Sequence, residues 1–421
     1  MTENIRVICE NMEKYYKWNF IMGLIHRVFY AIAMSVADIN TVIPVFLGTF
    51  VQSRISIGLI LSFIALGSVM PQLYVAKKLV DKARKKYMLD ISLAVRLLSW
   101  FFLAGIVYFY GKTSNASVIS FILLVFVFFF FGGVAKIPYF HIISRAIPVN
   151  RRGRFFGLGK MLGGLSAIVA GAIVTAVLSG HLPANKKYGI LFFITGLFLT
   201  AAYTGLFLIK ETSEKVEPKP GRFKEHLADI IKNDKPFMKF IFTVILIYTA
   251  QLAMPYYILY FKQTGKSSLA LMLGLFIILQ KIFGALSNLG WGYISDHISN
   301  RTNLILAGAL TIIMPILALL HLFIPLFIFM GIFISGLDIA VNNYLLELSP
   351  KDKMPLYLSL HGIFVSPRVF MPLLGGFLAQ VTGYKILFSI TLLLGIAALV
   401  SSFFLKELRR KINSAKGALN V

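Results

Sequence analysis

The stretch Trp291-Gly-Tyr-Ile-Ser-Asp-His-Ile-Ser-Asn-Arg301 decides the fold, because an earlier stretch echoes it: Tyr74-Val-Ala-Lys-Lys-Leu-Val-Asp-Lys-Ala-Arg-Lys-Lys86. Aligning Asp81 with Asp296 sets Lys86 opposite Arg301. Each stretch closes a long apolar run and precedes another. Just upstream of each, Pro44 matches Pro255 and Asn40 matches Gln251. A segment that recurs with its surroundings is the trace of a duplicated half.

Outward from these loops the chain is greasy. Of 421 residues 58% are apolar and only 14% are charged, against about 25% charged in a typical soluble domain. A bilayer core about 30 Å thick takes about 20 apolar residues as a helix. Apolar runs of that size fall at 24–50, 55–76, 88–110, 117–142, 154–179, 188–209, 237–261, 268–294, 302–321, 323–347, 355–380 and 384–405. Unpaired backbone is not tolerated in lipid, so each run is expected to be an α-helix. The alternation of a membrane β-barrel is missing. The expected fold is therefore all-α: twelve transmembrane helices in two pseudo-symmetric six-helix bundles, at 24–209 and 237–405. Residues 1–23 are expected as a lead-in on the cytoplasmic side, with the character of a short amphipathic helix. The charged stretch 210–236, broken by Pro218, Pro220 and Gly221, reads as a linker with a surface helix at about 222–232. Residues 406–421 read as a basic tail.

The formal charge of +25, from 42 Lys and Arg against 17 Asp and Glu, would suggest nucleic acid on a soluble chain. Here most basic residues fall in alternate loops and in the two tails. The positive-inside rule then sets both termini in the cytoplasm of a multi-pass plasma-membrane protein, and nucleic acid is not needed as a partner. Cys9 is the single cysteine, so no internal disulfide framework exists.

With twelve runs, two halves and two matching loops in place, the chain resembles the major facilitator superfamily over essentially its whole length. That family carries Gly-x-x-x-Asp-Arg-x-Gly-Arg-Arg between helices 2 and 3, with a weaker copy between helices 8 and 9. The second copy here keeps Gly292, Asp296 and Arg301, with His297, Ser299 and Asn300 in place of Arg, Gly and Arg. The first keeps Asp81 and the basic run Lys82, Lys85 and Lys86, with Lys77 and Arg84 at glycine positions. The resemblance implies a secondary transporter working by alternating access, not an enzyme, often a monomer, with the bilayer, a small solute and protons as partners and no cofactor. It assigns Asp81, Lys82, Lys85, Lys86, Gly292, Asp296 and Arg301 to a cytoplasmic gate, or else only to the basic loops that set topology.

Charges inside the runs mark candidate sites, since a mid-bilayer charge costs roughly 2.5–3.5 kcal/mol on insertion scales. Lys281, Arg368, Asp38 and Asp338 lie near mid-span. Arg27, Arg96, Lys136 and Lys160 lie nearer the cytoplasmic ends, where Arg27 can snorkel and Arg96 and Lys160 can reach headgroups or a gate. Helical spacing groups Asp338 with Ser335 and Asn342, and Arg368 with His361. Together with the resemblance, this points to Asp38, Lys136, Gln251, Lys281, Asp338, Asn342 and Arg368 as a solute cavity, and to Asp38, Asp338 or His361 as proton carriers. Either Lys281 and Arg368 bind an organic anion, or these charges merely neutralise each other. The alternative is a proton-coupled exporter of drugs or lipophilic cations, with Asp38 and Asp338 as cation ligands. A membrane-embedded enzyme is disfavoured: no His-Glu-x-x-His, no paired-aspartate motif and no phosphate-binding glycine loop occurs. Gly159, Gly163, Ala167 and Gly171 line one face of the fifth run for close helix contact.

Overall fold

The computed structural model describes residues 2–51, 53–79, 86–110, 115–210, 230, 233–265, 267–350 and 353–408. Among these the chain is helical without a strand, and twelve helical stretches are long and apolar enough to cross a membrane. Span 1 comprises Thr2–Val36 and Val42–Phe50. Spans 2 to 6 are Arg54–Leu79, Lys86–Phe109, Asn115–Ala146, Val149–Ser179 and Ala184–Phe207. Span 7 comprises Lys235–Tyr248, Thr249–Leu252 and Met254–Thr264, and span 8 is Leu269–Tyr293. Spans 9 and 10 are Asn300–Leu319 and Phe323–Leu348. Span 11 comprises Met354–Val365, Ser366–Phe370 and Met371–Thr382, and span 12 is Tyr384–Phe403.

The chain divides into two compact units. The first holds Met1–Gln52, Leu59–Lys219 and Lys266–Ile278; the second holds Ser53–Gly58, Pro220–Gly265 and Leu279–Val421. Inside the first, span 3 packs on spans 4 and 6, and span 1 on spans 5 and 6. Inside the second, span 9 packs on spans 10 and 12, and span 7 on span 12. The same packing order recurs six spans later.

The start differs from a short lead-in. Thr2–Val36 is one continuous helix, and its membrane-compatible part begins at Tyr15. Trp18 Nε1 donates to Leu208 O at 2.9 Å. The Asn19 side chain accepts from Lys210 N at 3.0 Å and donates to Lys210 O at 3.1 Å. Those bonds occupy backbone groups that the end of span 6 leaves unmade. The surface helix expected at about 222–232, like most of 210–236, lies outside the described residues.

Spans 1 and 7 break at matched places. In span 1 the break is 37–41. There Asp38 Oδ1 accepts from Asn40 N at 2.9 Å and from Thr41 Oγ1 at 3.0 Å, an aspartate turn that replaces lost helix bonds. In span 7 the chain tightens to a 3-10 turn at Thr249–Leu252. Pro44 and Pro255 each follow in the first turn of the resumed helix, where a missing N–H costs little.

Arg27, expected to snorkel, and Arg96, expected to reach headgroups or a gate, both turn inward. Arg27 lies across Phe155 and Phe156, its Cζ 5.6 and 5.0 Å from the ring centroids. It fills the seam that Gly159 leaves open: a Cβ there would stand 1.9 Å from Arg27 Nε. Arg96 is only 6% exposed. Its Cζ stands 4.3 Å from the centroid of Phe128, and Nη2 donates to the Tyr30 hydroxyl at 3.2 Å. Removing an ion from water costs several kcal/mol, and a desolvated cation–π contact returns about 2 kcal/mol.

Candidate functional site

A meeting of charged and polar side chains at mid-span lies in the second unit, around the broken helix of span 11. Pro367 and Pro372 flank Arg368. They interrupt the α-helix, and Ser366–Phe370 becomes a 3-10 turn, since proline removes a donor and clashes with the preceding turn. The tighter turn carries Arg368 over the face of Tyr248, Cζ to centroid 4.3 Å. Tyr248 is the last residue of the helix Lys235–Tyr248 and is buried at 3% exposure. Its hydroxyl is in hydrogen-bond contact with Arg368 and within the field of Asp338.

Asp338 lies in span 10 and is exposed. His361, two helical turns before Arg368, is half-buried and stacks on Phe240 at 5.9 Å and 26°. Its Nε2 is buried and has no hydrogen-bond partner, and its ring lies within the field of Arg368. Of the candidates read from the sequence, Arg368 and Asp338 thus act on one tyrosine, Tyr248, and His361 lies within the field of Arg368. Tyr248 itself escaped that reading. It sits three residues before Gln251 on the same helical face, and that spacing was the available signal.

The remaining candidates are placed as follows. Gln251 is half-buried in the 3-10 turn of span 7. Lys281 is half-buried in span 8, and Asn342 is exposed one turn beyond Asp338. Asp38 and Lys136 belong to the first unit. Asp38 is buried at 1% exposure in the turn it holds, and Lys136 is exposed in span 4. Tyr256 and Tyr257 are fully buried. Tyr256 donates to Pro372 O at 2.6 Å, and Tyr257 packs on Phe388 at 5.0 Å.

Of the expected gate, Asp81, Lys82 and Lys85 lie outside the described residues. Lys86 and Arg301 play matching parts. Lys86 Nζ donates to Phe207 O at 2.9 Å and Ile209 O at 2.5 Å, at the end of span 6. Arg301 Nη2 donates to Phe403 O at 2.6 Å, at the end of span 12. A cation there meets both the unpaired carbonyls and the negative end of the helix dipole. Gly292 is half-buried, and Asp296 is exposed in the short π-helical turn Ile294–Ile298. That turn is tied down by Ser295, whose hydroxyl donates to Asn300 Oδ1 at 2.7 Å and accepts from Asn343 Nδ2 at 2.8 Å.

Among the described residues, no cluster of His, Cys, Asp and Glu has metal-holding geometry. What the Arg368 cluster can do chemically is bind a charged group, orient it on an aromatic face and exchange a proton through a carboxylate or an imidazole.

A family model described as Major Facilitator Superfamily matches residues 20–366 and 240–419. No curated protein matches the chain. Solved structures share the fold. An aspartate-to-alanine mutant of the nucleoside transporter NupG is 14% identical, with TM-score 0.71, covering 92% of this chain and 100% of its own. A bacterial homologue of the iron transporter ferroportin is 14% identical, TM-score 0.69, covering 91% and 98%. A D-xylose–proton symporter is 11% identical, TM-score 0.67, covering 93% and 98%.

Proposed function

Because this chain belongs to the Major Facilitator Superfamily, and is thus a membrane transporter rather than an enzyme, we propose that it moves a small organic anion by alternating access, with proton coupling. The observation that carries this reading is Arg368 stacked at 4.3 Å on Tyr248, in a helix broken by flanking prolines. A guanidinium held flat presents its donors as a fork, which suits a carboxylate or phosphate. Lys281, half-buried in span 8 of the same unit, adds positive field. Asp338 and His361 are the proton carriers best placed beside the bound anion. The Asp38 carboxylate holds the span-1 turn, and that contact supports a hinge role for it more than proton transfer.

For a monoanion, one co-transported proton cancels the charge, and the pH gradient supplies the drive. A proton entering down about 100 mV contributes roughly 2.3 kcal/mol to moving a neutral zwitterion or a sugar, but nothing electrical to a proton–monoanion pair. The distribution of Lys and Arg favours cytoplasmic termini in a plasma membrane.

The test is a thermal-unfolding screen of purified protein against anionic, cationic and neutral metabolites. A ligand at about 100 times its Kd adds about 2.7 kcal/mol. The expected result is stabilisation by an organic anion, lost in Arg368→Ala, and uptake of that anion into proteoliposomes only with an inward proton gradient. Stabilisation by lipophilic cations, lost in Asp338→Asn and kept in Arg368→Ala, would reverse the reading to a cation exporter.

A further inference from the structure

The start of span 5 carries a positive charge that its own stretch of chain does not offset. From residue 91 to residue 210 there is no Asp or Glu, while Arg145, Arg151, Arg152, Arg154 and Lys160 crowd together around the turn from span 4 to span 5. One of these cations is spent inside the fold. Arg152 Nε donates to Ile147 O at 3.1 Å and its Nη2 to Ser144 O, at the end of span 4. Arg151, Arg154 and Lys160 are exposed instead.

Their spacing makes them one feature. Arg151, Arg154, Gly157 and Lys160 recur every three residues and form a single ridge across the helix face, with neighbouring Cβ positions about 5–6 Å apart. The gap in the ridge is open. A Cβ at Gly157 would meet no heavy atom within 4 Å, and the same holds at Gly153, four residues earlier. Gly159, Gly163 and Gly171 on the same helix pack instead on Arg27, Ala31 and Ile278. Gly153 and Gly157 therefore serve no helix contact and leave a seat beside the cations. Further along, the exposed face turns apolar: Met161, Leu165 and Ile168 follow Gly157 at helical spacing and are all exposed. The matched start of span 11 shows that the fold does not require these charges. Lys353 N donates to Pro350 O at 3.0 Å as Arg151 N does to Pro148 O at 2.9 Å. Counting on from there, Leu356 and Gly362 take the places of Arg154 and Lys160.

We propose that Arg151, Arg154 and Lys160 form a binding site for an anionic phospholipid, with its phosphate over Gly157 between Arg154 and Lys160 and its acyl chains along Met161, Leu165 and Ile168. Like charges three residues apart repel, and a phosphate touching several of them relieves that repulsion. Arginine offers it a fork of donors and lysine a point charge. This end of span 5 is on the side where Lys and Arg concentrate, the side assigned to the cytoplasm, whose leaflet carries anionic headgroups. The site lies in the first unit and is separate from the Arg368 cluster.

The experiment uses the full chain in detergent micelles, titrated with dioleoylphosphatidylglycerol. Dioleoylphosphatidylcholine, with the same tails and no net charge, is one control, and inorganic phosphate at equal ionic strength is the other. Binding is read as discrete lipid adducts by native mass spectrometry and as a shift in the unfolding midpoint. Phosphatidylglycerol is expected to bind and raise the midpoint, while phosphatidylcholine and free phosphate do neither. Arg151→Gln and Arg154→Gln should each weaken phosphatidylglycerol about fivefold, and the double variant about twenty-five-fold. Gly157→Leu fills the seat without touching the protein. It should keep or raise the lipid-free midpoint, since glycine is a poor helix former, and weaken phosphatidylglycerol about fivefold by lifting the headgroup off one cation. Lys353→Gln, at the matching place in span 11, and Arg368→Ala should leave the affinity within about twofold of wild type, as expected of distant sites. The proposal is overturned by wild-type protein that binds phosphatidylglycerol no better than phosphatidylcholine, by free phosphate matching the lipid, by full affinity in Gly157→Leu, or by an equal loss in Lys353→Gln. A lower lipid-free midpoint in the double variant with unchanged lipid binding would also overturn it, and would give the two arginines to acidic residues of this chain.

Discussion

The two units solve the same packing problems with different residues and then treat their buried cations differently. Lys86 caps the end of span 6 as Arg301 caps the end of span 12. Spans 4 and 10 each press a glycine onto a neighbouring backbone. A Cβ on Gly133 would stand 2.5 Å from Ser68 O, and one on Gly331 2.0 Å from Gln280 O. Aspartate and threonine hold the break in span 1, whereas a 3-10 turn makes the break in span 7. Against this shared frame, Arg368 is half-buried on Tyr248, which Asp338 also acts on, and within the field of His361. Arg96 is sealed among aromatic rings. The difference teaches that the repeat preserves backbone contacts and helix ends, while the polar chemistry has diverged between the halves.

The glycine contacts offer the largest effect. Gly331→Ala should cost about 3 kcal/mol and Gly133→Ala about 2 kcal/mol, because backbone rather than a flexible side chain meets the new methyl. Thermal unfolding of the two variants checks this, and a loss in one variant without a loss in the other would break the match between spans 4 and 10. Next comes a contrast of sign. Arg96→Met should stabilise the ligand-free protein by about 1–2 kcal/mol, since an apolar residue replaces a buried cation without a carboxylate. Arg368→Met should cost about 1 kcal/mol through loss of the Tyr248 stack. If both variants shift the midpoint the same way, the two cations are not differently housed. The smallest effect belongs to the caps. Lys86→Met and Arg301→Met should each cost about 0.5–1 kcal/mol. Their double variant should equal the two singles combined to within about 0.5 kcal/mol, as expected of distant sites. A larger departure would mean that the two helix ends are coupled.

The spans were legible because the bilayer imposes one rule on every residue in them: backbone must be paired internally, and lipid-facing surface must be apolar. That rule writes itself into composition over twenty residues at a time. The match of Lys86 with Arg301 was also legible, because loop spacing survives duplication, although the sequence reading offered a gate or a topology signal and the helix-capping bonds came only with the structure. Arg368, Asp338 and His361 were legible as costly charges. Tyr248 was not, since a tyrosine in a membrane helix carries no cost that marks it, and tyrosine is common there for other reasons.

The sequence by itself therefore determined what depends on local chemistry along the chain: twelve helices, two related halves, and which residues are too expensive to face lipid. Only the tertiary structure decided what those residues meet. It turned Arg27 into the seam beside Gly159 and sealed Arg96 among Phe128, Tyr30 and Tyr203. It placed Arg368 on Tyr248, residues 120 positions away in the chain. A charge reports its desolvation cost wherever it stands in the sequence. The partner that offsets the cost comes from another helix, and helix-to-helix contacts are set by packing, not by order along the chain.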